Sequence, residues 1–163
     1  MIARAVAAGF AFGIATAMAQ SATFTVRTIT PEAALKAAQA ALAKCRAEGF
    51  QVTVAVVDRS GITQALLRDR YAAPHTVDTA QRKARTAINF KMNTSALDRE
   101  LQPGKANAGI RNLPEVAAVA GGMVIEGAGS LVGAIGVSGA PGPSNDEVCA
   151  AAGVKSIAED LEF

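Results

Sequence analysis

The apolar positions change period along the chain, and each change marks an element. Thr30–Pro31–Glu32 opens the first periodic segment. Thr30 can cap a helix, Pro31 suits its first turn, and Glu32 favours the positive end of the dipole. Leu35, Ala38, Leu42 and Cys45 follow at helical spacing as the expected buried stripe, and Gly49 ends the helix. Val52 to Val57 is a run rich in β-branched residues, expected as a strand. Asp58–Arg59–Ser60–Gly61 is a turn, and Ile62 to Leu67 returns as the second strand of a hairpin.

A longer helix is predicted over Pro74 to Lys91. Val77, Ala80, Ala84 and Ile88 form its apolar stripe, while His75, Thr79, Lys83, Thr86 and Phe90 share a different one. Thr94 or Ser95 starts a short helix that cannot pass Pro103–Gly104, and Lys105 to Pro114 is loop-like. Met123 to Ile125 and Ser130 to Val137 form a second hairpin around the turn Glu126–Gly129. Ser144 and Glu147 are spaced as a capping box for a last helix whose stripe is Ala150, Val154, Ile157 and Leu161. The order helix, hairpin, helices, hairpin, helix predicts an α+β domain, an antiparallel sheet with helices packed against it.

The N-terminus follows a different pattern. Arg4 precedes an uncharged stretch from Ala5 to Val26, and Ala17–Met18–Ala19 supplies small residues for a peptidase. This is the order of a secretory signal, residues 1–19, cleaved before Gln20. An uncleaved anchor or a buried first helix is the alternative. Gly9, Gly13 and many alanines weaken the stretch, and no basic cluster stops it. The domain is then residues 20–163, periplasmic or secreted, with no stable membrane insertion after cleavage.

Composition narrows the partners. The chain has 16 Lys and Arg against 14 Asp and Glu, and losing Arg4 with the signal leaves it nearly neutral. There is no Trp and only one Tyr. Neither a nucleic acid nor an anionic membrane fits that balance as the main partner. Abundant alanine and glycine permit close packing of helices, sheet and subunits, so an oligomer is expected. Cys45 and Cys149 lie far apart and read as two buried free thiols, with a disulfide as the alternative.

Chemistry centres on His75, the only histidine. An imidazole where a loop becomes a helix can ligate a metal or haem iron, act as a general base, or simply bond nearby backbone. Thr79, Lys83 and Thr86 follow it on one side, with Arg82 and Arg85 adjacent. Such a face suits haem propionates or another small anionic ligand, and equally an ordinary solvated face. Ile88, Phe90, Met92 and Tyr71 are candidate apolar walls. No nucleophile elbow is present, and Asp58, Asp69 and Asp78 are the candidate carboxylate partners of His75. Gly127–Ala128–Gly129 begins like a dinucleotide fingerprint, but Val132 stands at the third glycine position and a strand follows. Asp98/Glu100 and Glu159/Asp160/Glu162 read as solvated acids rather than an iron site. The loop before Ser144 can hold an anion or simply cap its helix.

Several segments resemble one family. They are Thr30 to Leu35, Val54 to Asp58 with Ser60–Gly61, Pro74–His75–Thr76 with Lys83–Ala84 and Thr86–Ala87, Gly121–Gly122, Val132 to Gly139, and Asp146–Glu147 with Cys149–Ala150. In this order they resemble the GlcG/HbpS haem-binding family, whose domain also forms the C-terminal part of PduO-type proteins. The resemblance runs from about Ile29 to Leu161. It implies a five-stranded antiparallel sheet flanked by helices in a profilin- or PAS-like layer, and a homo-oligomer, often an octamer. It also implies haem as cofactor; haem ligation differs among members of the family, and His75 is the expected iron ligand here because it is the sole imidazole. Arg70–Tyr71 departs from the family's small turn and alters the rim just before His75.

The resulting expectation is an exported, oligomeric haem-binding protein for haem capture, storage or sensing, held by His75, Thr79, Arg82, Lys83, Arg85 and Thr86. One alternative is an enzyme of small organic acid or aldehyde catabolism, with His75 as acid/base and Lys83 or Arg85 as anion anchor. Another is a ligand-free oligomeric interaction module.

Overall fold

A computed structural model describes residues 21–162. The expected signal over residues 1–19 lies outside them. Helix α1 runs Pro31–Ala47, strands β1 and β2 span Thr53–Asp58 and Thr63–Arg68, and helices α2 and α3 span His75–Phe90 and Thr94–Glu100. Strands β3, Gly122–Gly127, and β4, Ser130–Ser138, precede helix α4, Pro143–Ser156. Single 3₁₀ turns occupy Ala108–Asn112, within the predicted loop, and Glu159–Leu161.

The sheet is antiparallel with order β2-β1-β4-β3. It has four strands rather than the five that the resemblance implied. The two hairpins supply all four. The segment before α1 reaches β4 through the Ile29 N–H, which donates to the Val132 carbonyl at 2.9 Å, just past the end of the β1 ladder. One backbone bond of this kind makes no strand.

Side-chain alternation assigns the layers. Val54 and Val56 of β1 join Ile135 and Val137 of β4 in the main core beneath α1 and α4. Val57 and Ala134 face the other way, against Ala84, Ala87 and Ile88 of α2. The central strand β1 is buried on both faces, which accounts for its unbroken apolar run. A Cβ at Gly136 would lie 2.1 Å from the Ala80 carbonyl oxygen, and one at Gly122 would lie 2.5 Å from the Lys83 carbonyl oxygen. Helix α2 therefore lies directly on the backbone of β3 and β4, the close packing that small residues permit.

Thr30 caps α1 as expected, its hydroxyl accepting from the Ala33 N–H at 3.2 Å. The buried face of α1 differs from the predicted stripe. Ala34, Ala37, Ala38, Ala41, Leu42 and Cys45 are buried, while Leu35 is 42% exposed. The reason is close approach to α4: a Cβ at Gly153 would sit 2.7 Å from the Ala37 carbonyl oxygen. Only an alanine face fits there. On α2, Val77 is only half-buried, while Ala80, Ala84 and Ile88 are covered.

The same approach corrects the reading of the cysteines. Cys45 on α1 and Cys149 on α4 are not free thiols but a disulfide, with Cα atoms 5.5 Å apart. Distance in sequence hid them, and helix pairing brings them within bridging range. The capping box also fails. Helix α4 begins at Pro143 after Gly142, with no side-chain cap, and Glu147 instead accepts from the Ser95 hydroxyl at 2.6 Å. The acceptor in the first turn is Asp146, which takes the Ala140 N–H at 2.9 Å.

Candidate functional site

The start of α2 fixes His75. Pro74 precedes it with helical backbone and no side-chain cap. The next residue, Thr76, is buried and ties the helix start to the sheet. Its hydroxyl donates to the Ala73 carbonyl at 2.6 Å and lies 2.7 Å from the Thr53 hydroxyl on β1. His75 itself is exposed and lines a depression of about 330 Å³. Phe50, Gln51, Tyr71, Ala73, Gly139 and Pro141 complete most of the wall. Gln51 Oε1 is buried without a hydrogen-bond partner, one of two such side-chain atoms among the described residues, with Arg82 Nε.

The expected basic stripe does not share this depression. Thr79 donates its hydroxyl to the His75 carbonyl at 3.0 Å. Arg82 donates to the carbonyls of Pro114, at 2.5 Å, and Val116, at 3.2 Å. The Thr86 hydroxyl accepts from the Ala117 N–H at 2.9 Å, and Arg85 lies 3.7 Å from Glu115. These three side chains fasten the 114–117 segment to α2. Lys83 is 3% exposed, with its ammonium 2.7 Å from Asp146 and 3.0 Å from the Val137 carbonyl. Lys83 and Thr86 are thus buried within the stripe: it is neither a solvated face nor an open anion anchor. Of the apolar candidates, only Tyr71 lines the depression. Ile88 packs on the sheet with Val57, and Phe90 and Met92 pack against Leu97 and Leu101.

The carboxylates considered for His75 have other partners. Asp58 accepts from the N–H groups of Ser60 and Ile62 at 2.8 and 3.0 Å, closing the β1–β2 turn. Asp78 lies 3.8 Å from Arg82. Asp69 takes two bonds from Arg46, at 2.8 and 3.0 Å, and these hold its carboxyl below the usual carboxylate range. Asp146 is displaced the opposite way: burial raises its carboxyl despite Lys83 and the N–H groups of Ala140 and Gly139. Asp98 pairs with Arg111 at 2.6 Å and Asp160 with Lys36 at 2.8 Å, and no group of three or more metal-ligating side chains occurs among the described residues. Gly127–Ala128–Gly129 forms the β3–β4 turn.

A larger cavity, about 710 Å³, lies at the start of α1, walled by Ile29, Ala33, Val132 and Leu161 with Lys36 and Asp160 on its rim. It is mainly apolar and contains no histidine, tyrosine or cysteine. The smaller depression is therefore the stronger candidate: it alone joins the imidazole to a phenol and an unpartnered acceptor. Gln51, Thr76 and Asp146 were not legible as site residues. Gln51 merely precedes an apolar run in the sequence, and only the fold brings it beside His75.

Known proteins fit this architecture. The uncharacterized 15.0 kDa protein in the dhaT-dhaS intergenic region of Citrobacter freundii is 34% identical over 116 residues, covering 70% of this chain and 82% of that protein. A double mutant of HbpS from Streptomyces reticuli is 38% identical, with a TM-score of 0.77 over 88% of this chain and 97% of its own. The PduOC:heme complex is 26% identical, with a TM-score of 0.76 over 80% of this chain and 95% of its own. The family model described as haem degrading protein HbpS-like matches residues 29–155, from the end of the pre-helical segment almost to the end of α4, and the chain belongs to that HbpS-like family.

Proposed function

We propose that this chain is an exported, oligomeric haem-binding protein for haem capture, storage or sensing, with His75 as its iron donor. The observation that carries the reading is the exposed His75 imidazole beside a walled depression, in a chain whose fold is similar to that of a protein solved as a heme complex. Haem, when bound, supplies an iron atom that takes an imidazole nitrogen. The residues present fit such a group. Phe50, Tyr71, Ala73 and Pro141 offer apolar contact, and the orphaned Gln51 Oε1 is an acceptor awaiting a donor. Arg70, exposed beside Tyr71, replaces the engaged Arg82, Lys83 and Arg85 as the proposed propionate cation. Thr79 and Thr86 act at one remove, by holding the start of α2 and the 114–117 segment.

A depression of about 330 Å³ is at the small end of ligand sites. Its residues would hold only part of a haem, so a second copy is proposed to supply the rest of the wall. Ile62, Leu66 and Tyr71, exposed on or beside the edge strand β2, supply apolar surface for that contact. The disulfide supports export, because such bonds persist in oxidising compartments.

Titrating the mature protein with hemin tests the reading. The expected result is a Soret band displaced from that of free hemin at one equivalent, and displaced again in His75→Ala. An unchanged band in the wild type would remove haem, and an unchanged band in His75→Ala would remove His75. Light scattering of the loaded protein is expected to give a mass several times that of one chain.

A further inference from the structure

An imidazole that binds iron through one ring nitrogen carries a proton on the other, and that N–H needs an acceptor to fix the ring. The carboxylates Asp58 and Asp69 are engaged in turn and ion-pair hydrogen bonds. Asp78 lies on the same helix beside Arg82. Gln51 Oε1 is different. It is buried, has no partner, and belongs to a residue lining the same depression as His75. A buried amide oxygen left unpaired costs about 1–3 kcal/mol, so a donor that reaches it gains more than an ordinary hydrogen bond.

The backbone of Gln51 is also fixed. It stands between the turn at Gly49 and strand β1, and the Val52 carbonyl accepts from the Asp69 N–H at 2.9 Å. Gly139, which also lines the depression, approaches so closely that a Cβ there would lie 2.7 Å from the Gln51 carbonyl oxygen. The side chain of Gln51 therefore starts from a rigid base. A rigid base is what a residue that orients a ligating group requires.

We infer that Gln51 is the positioning residue for His75, accepting the ring N–H opposite the iron and setting the orientation and basicity of the imidazole. This rests on the haem reading with His75 as donor. It predicts a graded response. Gln51→Met, similar in length but without the amide, loses hemin affinity about 10- to 100-fold. Its ferric/ferrous midpoint moves to more positive potential, because a less basic imidazole favours the reduced iron. Gln51→Glu offers a stronger acceptor, retains affinity, and moves the midpoint to more negative potential.

The experiment combines hemin titration, spectroelectrochemistry and thermal melts of the unloaded protein for wild type, Gln51→Met, Gln51→Glu and His75→Ala. Opposite midpoint shifts in the two Gln51 variants, each giving a cooperative thermal melt of the unloaded protein, are the expected result. Wild-type affinity and midpoint in both variants, with the Soret band still displaced in His75→Ala, would overturn the role of Gln51 and leave the haem reading intact. A wild type that leaves hemin spectrally free would overturn both, and a His75→Ala spectrum identical to wild type would remove His75 as donor and with it the role of Gln51.

Discussion

Lys83 shows how a residue's role depends on what lies across from it. In the chain it belongs to a polar stripe with His75. In the fold its ammonium lies against Gly121, where a Cβ would come within 2.9 Å of it, and reaches Asp146. A buried pair of this kind contributes little net stability, but removing one partner leaves an uncompensated charge. Lys83→Met is expected to lose about 3–5 kcal/mol of unfolding free energy near neutral pH. Lys83→Met with Asp146→Leu is expected to recover most of it. The pH dependence has a definite sign. The folded protein holds the proton of Asp146 more tightly than the unfolded chain, because burial raises that carboxyl. Stability from such a group is present below the ordinary carboxylate value and lost as pH rises through the raised one. The Lys83→Met penalty should therefore shrink as pH falls through the raised range of this carboxyl, because an unpaired Asp146 then takes up a proton. Urea melts at several pH values measure this, and a pH-independent penalty would contradict it.

The elements show which local signals suffice. The cap at Thr30 and the turn glycine Gly61, with φ +82°, act where the sequence places them, because each satisfies a purely local demand. The β3–β4 hairpin is less well served. Ala128 and Gly129 both have positive φ, at 46° and 72°, and link the paired residues Gly127 and Ser130. Two-residue hairpins of this form favour asparagine before glycine, and an alanine there carries a steric cost of about 1–2 kcal/mol. Ala128→Asn is expected to raise stability by about 0.5–1 kcal/mol. Chemical denaturation checks it, and an unchanged or lowered midpoint would count against the strain. The failed capping box at Ser144 has the opposite lesson. Its spacing is correct, but Glu147 bonds to Ser95 on α3 and Asp146 to the preceding loop. Tertiary partners outcompete the local pattern.

Across the whole molecule, one covalent link joins α1 to α4 over 104 positions of sequence. A closure that long restricts the unfolded chain strongly, and bonds of this type contribute typically about 2–4 kcal/mol. Cys45→Ala with Cys149→Ala is expected to lower unfolding free energy by that amount while leaving the sheet intact. Unfolding of the wild type with and without reductant should give a similar difference. Equal stability of the oxidised, reduced and double-mutant proteins would show that helix packing alone holds α1 and α4 together.

The sequence by itself determined the order of elements, the two hairpins, the boundaries of α1 and α2 to within a residue or two, and His75 as the sole imidazole at a helix start, whereas the last helix stops at Ser156, short of the Ile157 and Leu161 expected on its stripe. These follow from period, caps and turn residues, which act over a few positions. The family was also legible, because its motifs run in order from the start of α1 into α4. Only the tertiary structure decided the number of strands, the burial of Lys83 and Thr86, the alanine face of α1, the disulfide and the place of Gln51. Each depends on which surfaces meet across the sheet, and residues distant in the chain leave no periodic trace of that meeting. His75 was visible as a residue, whereas its surroundings became visible only when α2 settled on the glycines of β3 and β4.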